Sequence, residues 1–134
     1  MARGQWIDVE GRAGNMPTPD IKRAITTACE RVIRDVLLPR YLPEIEPTKF
    51  NYPIAIYGKW HGNKYRFITR YRSGFADNLG AEFEAPFSRI EFVSRDCFDV
   101  SWHRHTGQWH CLCQRVTLEQ ALQLIGEDGI LAPC

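Results

Sequence analysis

The hydrophobic period of this chain changes once, from three and four residues to two, and that change limits the fold more than any other feature. Ile21, Ala24, Ile25, Ala28, Val32, Ile33 and Val36 recur at helical spacing, with Lys22, Arg23, Glu30, Arg31 and Arg34 outside the stripe. This pattern predicts a surface helix with one buried face. Thr18 suits its N-cap, Pro19 the first helical position and Asp20 the first turn, where free amides and the positive dipole end want an acceptor. Pro39 and Pro43 are expected to end it near Leu38. From Tyr52 onward alternation takes over, and Gly62-Asn63 divides it as a two-residue hairpin turn would.

If His61 faces Lys64, then Ile54, Ile56, Gly58, Trp60, Tyr65, Phe67, Thr69 and Tyr71 share a core face, and Tyr57, Lys59, Lys64, Arg66, Ile68 and Arg70 share the other. Residues 73–86 read as a long connection, unless residues 82–84 add a short edge strand. Residues 87–93 and 97–104 read as the next two strands, with a three-residue turn at Ser94, Arg95 and Asp96 matching Phe92 to Phe98 and Ile90 to Val100.

The last hairpin turns near Thr106-Gly107, and two registers are open. A two-residue turn pairs His105 with Gln108 and gathers Phe98, Val100, Trp102, Trp109, Cys111 and Cys113 on one apolar face. A three-residue turn mixes Trp109 and both cysteines with Asp99 and His103. The first register is preferred because it keeps the apolar residues together. Thr117 and Gln120 then form a capping box ahead of Leu118, Ala121, Leu122 and Ile125, with Gly126 as the stop. The expected class is α+β: an N-terminal amphipathic helix packed on an antiparallel meander of five or six strands, followed by a short C-terminal helix.

At 134 residues the chain has the length of one domain. Residues 1–17, polar and glycine-rich, are expected to be an N-terminal arm, and residues 18–134 a single α+β domain. Seventeen Lys and Arg against sixteen Asp and Glu leave no global charge to draw the chain to nucleic acid or a membrane, so such a partner must be recruited by a local patch. No segment has the length and apolarity of a bilayer span, and residues 1–16 lack the apolar run of a secretory signal. A cytoplasmic location is the expectation, with no membrane partner. The five cysteines, Cys29, Cys97, Cys111, Cys113 and Cys134, are odd in number and scattered, and read as reduced thiols rather than a disulfide framework.

Residues 87–112, FSRIEFVSRDCFDVSWHRHTGQWHCL, carry a tryptophan, a basic residue, a glycine turn and a Trp-His pair at Trp102, Arg104, Gly107, Trp109 and His110. In this hairpin the chain resembles small uncharacterised bacterial domains of unknown function. That resemblance implies no activity and assigns no site.

Two constellations are chemically distinctive. Residues 47–76 contain no acidic residue, and alternation puts Lys59, Lys64, Arg66, Arg70 and Arg72 on the non-core face with Tyr57. Cations of this kind can neutralise phosphates while the phenol stacks on a base, so the first hairpin is the candidate surface for nucleic acid or another polyanion. The plainer account is a solvated face whose charges block unwanted strand pairing. The second is His103, His105 and His110: in the preferred register two share a face on one strand and the third lies across from His103, a spacing suited to zinc and to metal-dependent hydrolysis. Its plainer account is polar residues beside a wet turn, and no cofactor is the default expectation.

Other chemistry is weaker. Asp99, Ser101 and His103 stand roughly 7 Å apart along one strand face, too far for a triad. Glu91 and Asp99 have Arg89 beside them, which favours a surface ion pair over two catalytic carboxylates. Cys111 and Cys113 are expected beside Trp102 and Trp109 as packing residues. The overall leaning is therefore a non-catalytic binding module. Seven Phe, five Tyr and four Trp are many for one sheet face, so a homodimer is a further expectation. So is a small-molecule pocket beneath the 73–86 connection, lined by Phe75, Leu79 and Phe83.

Overall fold

The computed structural model describes residues 16–133; the arm expected over residues 1–17 falls almost wholly outside them. Helix α1 (Pro19–Val32) starts where its cap predicts, with extended Thr18 accepting the Ile21 amide at 3.2 Å through Oγ1. It does not stop near Leu38. A π-helical turn, Ile33–Leu37, carries the chain into α2 (Leu38–Tyr41), and the Leu38 amide reaches back five residues to the Ile33 carbonyl. In an α ladder Pro39 would lose a bond and press on the carbonyl four residues back. The wider π turn just before it relieves that misfit, which is why proline here bends the ladder without ending it. The buried stripe is Ile25, Cys29, Ile33 and Leu37, whereas Ala24 is exposed.

Five strands follow in chain order and pair antiparallel with their sequence neighbours: β1 (Asn51–His61), β2 (Lys64–Ser73), β3 (Glu82–Ser94), β4 (Cys97–His103) and β5 (Trp109–Val116). The first hairpin has the expected register, with His61 opposite Lys64 and Gly58 opposite Phe67. A bulge at the start of β1 then shifts the pairing, so Pro53 meets Tyr71. The end of the expected long connection is strand, in line with the alternative at residues 82–84, but it is continuous with β3 inside the sheet and not a separate edge strand. β3 begins at Glu82, runs through Pro86 at a bulge where the ladder can spare a donor, and leaves only residues 74–81 as loop. Phe75, Leu79 and Phe83 are exposed, Phe75 edge-on to Phe50 and Phe83 stacked on Tyr71. Phe92 pairs with Phe98 and Ile90 with Val100, as predicted.

The last hairpin takes the other register. His103 lies opposite Trp109 and Trp102 opposite His110. The Arg104 amide donates to the Gln108 carbonyl at 2.8 Å, and between them the loop turns at Gly107, φ 90°. A left-handed glycine at the third loop position is what a three-residue hairpin requires. Irregularities in the β4–β5 ladder then return Cys113 and Val116 to the core side, opposite Val100 and Phe98. Apolar coherence is thus recovered by bulges further along, and not by the turn.

α3 (Leu118–Glu127) carries the full capping box at Thr117 and Gln120, and buries Ala121, Leu122 and Ile125. Its core residues and those of α1 pack on one face of the sheet, against Ile56, Tyr65, Phe67, Ile90, Phe98 and Val100. Trp60 Nε1 donates to Thr26 Oγ1 at 2.8 Å and ties β1 to α1. Gly58 leaves the space into which the buried Tyr65 ring leans; a Cβ there would overlap that ring. No described helix packs on the opposite face, which we call the open face.

Candidate functional site

The open face divides into two halves that differ in how their cations are matched. Near the 74–81 loop, β2 runs beside the newly found start of β3, with Arg72 opposite Glu82 and Arg70 opposite Glu84. Arg72 Nη2 lies 3.0 Å from Glu82, Arg70 Nη2 3.2 Å from Glu84, and Lys59 Nζ 3.4 Å from Glu84. Tyr57 donates to Glu84 and accepts from Arg70 at 3.1 Å. Four of the six residues expected to bind a polyanion, Tyr57, Lys59, Arg70 and Arg72, are therefore engaged with two carboxylates. Burial, reinforced by Glu84, raises the Tyr57 hydroxyl above its ordinary value. The Tyr57 hydrogen bond, with Lys59 and Arg70 adding to it, holds the Glu84 carboxyl below the usual glutamate range.

The sign of that shift sets a pH expectation. A carboxylate held low stays charged until the medium is more acid than its unfolded value, so the contribution of this network is present above that value and is lost as pH falls through the folded one. In a nuclear magnetic resonance titration the Glu84 carboxyl should show a midpoint below that of an unperturbed glutamate. Glu84 titrating at or above the free-peptide value would mean that these contacts do not form.

The other half is built on Arg66 and Arg89, which face each other across β2 and β3. Both point toward Trp109 on β5: the Arg89 guanidinium carbon is 4.3 Å from the indole centroid and that of Arg66 is 5.5 Å away. The residue between them and β5 is Ser101, opposite Arg89 on one side and Cys111 on the other. Its small side chain lets an arginine stem cross β4, and its 7 % exposure on an otherwise uncovered face marks the larger groups lying over it. His103 meets the Trp109 edge at 4.8 Å between centroids. Among the described residues neither Arg66 nor Arg89 has an ion-pair partner, and the Nε of each is buried without a hydrogen bond. Burial lowers the Arg89 guanidinium below its ordinary value, with Arg66 adding to this and Glu91 opposing it. Burial also lowers His103, and the two arginines act in the same direction.

Lys64, the sixth expected residue, sits at the edge of this half and donates to Asn63 at 3.2 Å. The histidines do not converge. The three-residue turn leaves His103 on the open face, turns His110 to the helix side against Trp102 at 5.2 Å between centroids, and keeps His105 in the exposed loop. Among the described residues no three His, Cys, Asp or Glu side chains gather as a metal would need. Asp99 accepts the Arg115 amide at 2.9 Å, and Cys111 is exposed on the open face instead of packed in the core. Trp109 escapes sequence reasoning because apolar coherence favours the other hairpin register, and Arg89 because Glu91 and Asp99 beside it suggest an ion pair that does not form among the described residues. Gly107 at the third loop position was the available signal.

Fold and face together define an α+β protein with one antiparallel meander, helices over one side and a mixed aromatic and charged surface on the other. The chain belongs to the family described as domain of unknown function DUF3024, whose profile matches residues 16–133, in keeping with its resemblance to uncharacterised domains. No curated protein and no solved structure matches it. No helix of the described residues is long and apolar enough to cross a membrane.

Proposed function

We propose that this protein is a non-catalytic, cytoplasmic binding module that holds a polyanion, nucleic acid in the first place, on the open face of its sheet. The observation that carries this reading is the Arg66 and Arg89 pair, two neighbouring guanidinium groups against one indole with no described carboxylate in ion-pair reach. Like charges directly opposite each other in a sheet repel, and an arriving phosphate relieves that repulsion while taking up unused donors. Lys64 extends the basic surface toward the first hairpin turn. A homodimer through the exposed Phe50, Phe75 and Phe83 is compatible with it, because Phe83 alternates with Glu82 and Glu84 and so points away from the open face.

Anisotropy titrations with a labelled nucleic acid at two salt concentrations provide the test. Affinity is expected to fall steeply as salt rises, since displaced counterions supply much of the driving force. Arg66→Glu should weaken binding more than Arg70→Glu, because Arg70 already shares Glu82 and Glu84. Binding that ignores salt, or equal effects of the two reversals, would count against this surface.

A further inference from the structure

Accepting the open face as a polyanion surface, its shape and chemistry narrow the ligand. Five strands spaced about 4.8 Å apart make a floor roughly 19 Å wide, and the Arg66 and Arg89 pair lies on β2 and β3, inside the sheet and not at its edge. A major groove of about 12 Å admits a helix or a two-stranded ribbon, not a floor of that width. A duplex laid on this surface would meet it through backbone phosphates alone. The face nevertheless holds an indole, half-buried, outside the hydrophobic core, with two guanidinium groups and an imidazole beside it. Flat π surfaces and guanidinium planes are what an unstacked base needs, and a duplex keeps its bases out of reach of them.

The adjacency of the groups suits a unit of one phosphate and one base. Arg66 and Arg89 rise from β2 and β3 and carry their guanidinium groups across β4 to Trp109, and Trp109 and His103 offer ring surface at the β5 side. In the matched half of the face Glu82 and Glu84 already hold Lys59, Arg70 and Arg72, so it offers phosphate fewer free donors and favours contact at this end. We propose that the ligand is single-stranded nucleic acid, with a phosphate held between Arg66 and Arg89 and a neighbouring base stacked against the Trp109 cluster.

The experiment uses the full-length protein and a labelled oligothymidylate of about ten nucleotides, within the footprint of a single-strand-binding module, in competition with a duplex of the same length and with inorganic polyphosphate. The single strand should bind roughly tenfold more tightly than either competitor, a gain of the size one stacked base provides. Trp109→Ala should remove about that factor and leave the salt slope unchanged, whereas Arg66→Ala should reduce the slope by about one. Trp109→Phe keeps a stacking ring and should recover most of the lost affinity, which a fold defect at this position would not allow. Equal affinity for all three polyanions, or a Trp109→Ala protein indistinguishable from the parent, would overturn the single-strand inference and leave the polyanion reading standing. Failure to bind any of the three at low salt would overturn both.

Discussion

Phe67→Ala is expected to lower the unfolding free energy by about 4 kcal/mol. Phe67 is fully buried on β2, edge-on to Tyr65 with centroids 5.3 Å apart and tilted against Phe87 at 6.3 Å. Truncating an aromatic in such a place costs transfer energy plus a term for whatever cavity remains, and the second term depends on how well neighbours can close in. Here they cannot do so cheaply. The residues directly across from Phe67 are Gly58 on β1 and Ser88 on β3, neither with a side chain able to fill the space. Tyr65 already leans over Gly58, so moving it would open a second gap. Against a total stability of about 5–15 kcal/mol for an ordinary domain, the loss is large enough to leave a substantial unfolded fraction in mild urea. Phe67→Leu, which keeps most of the volume, should cost about 1 kcal/mol. Urea unfolding followed by circular dichroism distinguishes the two, and a Phe67→Ala loss as small as that of Phe67→Leu would contradict this packing.

The parts of the fold that were legible in advance are those fixed by local chemistry. The Thr18 cap, the Gly62-Asn63 turn and the Thr117–Gln120 box each satisfy their backbone groups within a few residues, so their sequences suffice to locate them. The first hairpin's faces followed from its turn. What was not legible depended on partners distant in sequence. The π turn before Pro39 is tolerated because Ile33 and Leu37 are both buried against the rest of the core, a tertiary gain that local propensity does not contain. Residues 82–86, with two glutamates and a proline, have little strand character alone; they are strand because Arg70 and Arg72 lie opposite. The same contacts changed the meaning of the basic hairpin, half of which is matched by charges that looked like loop. The register of the last hairpin was decided by one left-handed glycine, and moving it by one residue exchanged an expected histidine cluster for an arginine and tryptophan one.

Reversing both arginines, Arg66→Glu with Arg89→Glu, is expected to cost roughly a hundredfold in affinity for nucleic acid and to flatten the salt slope by about two. The two positions face each other across neighbouring strands, so their effects on one bound phosphate will not be independent. Removing one arginine leaves the other still able to hold the anion, whereas reversing both replaces a fork of donors with two carboxylates. The loss from the pair should therefore exceed the product of the single losses. Folding is expected to survive, because neither residue belongs to the core cluster. The complementary change works in the opposite direction. Glu82→Gln with Glu84→Gln frees Lys59, Arg70 and Arg72 from their carboxylates and should raise affinity and steepen the salt slope, since cations already present become available to phosphate. Loss from one double variant and gain from the other, measured in the same titration, would locate the ligand on this face. If the arginine reversals leave affinity intact, the polyanion is held elsewhere on the molecule or not at all.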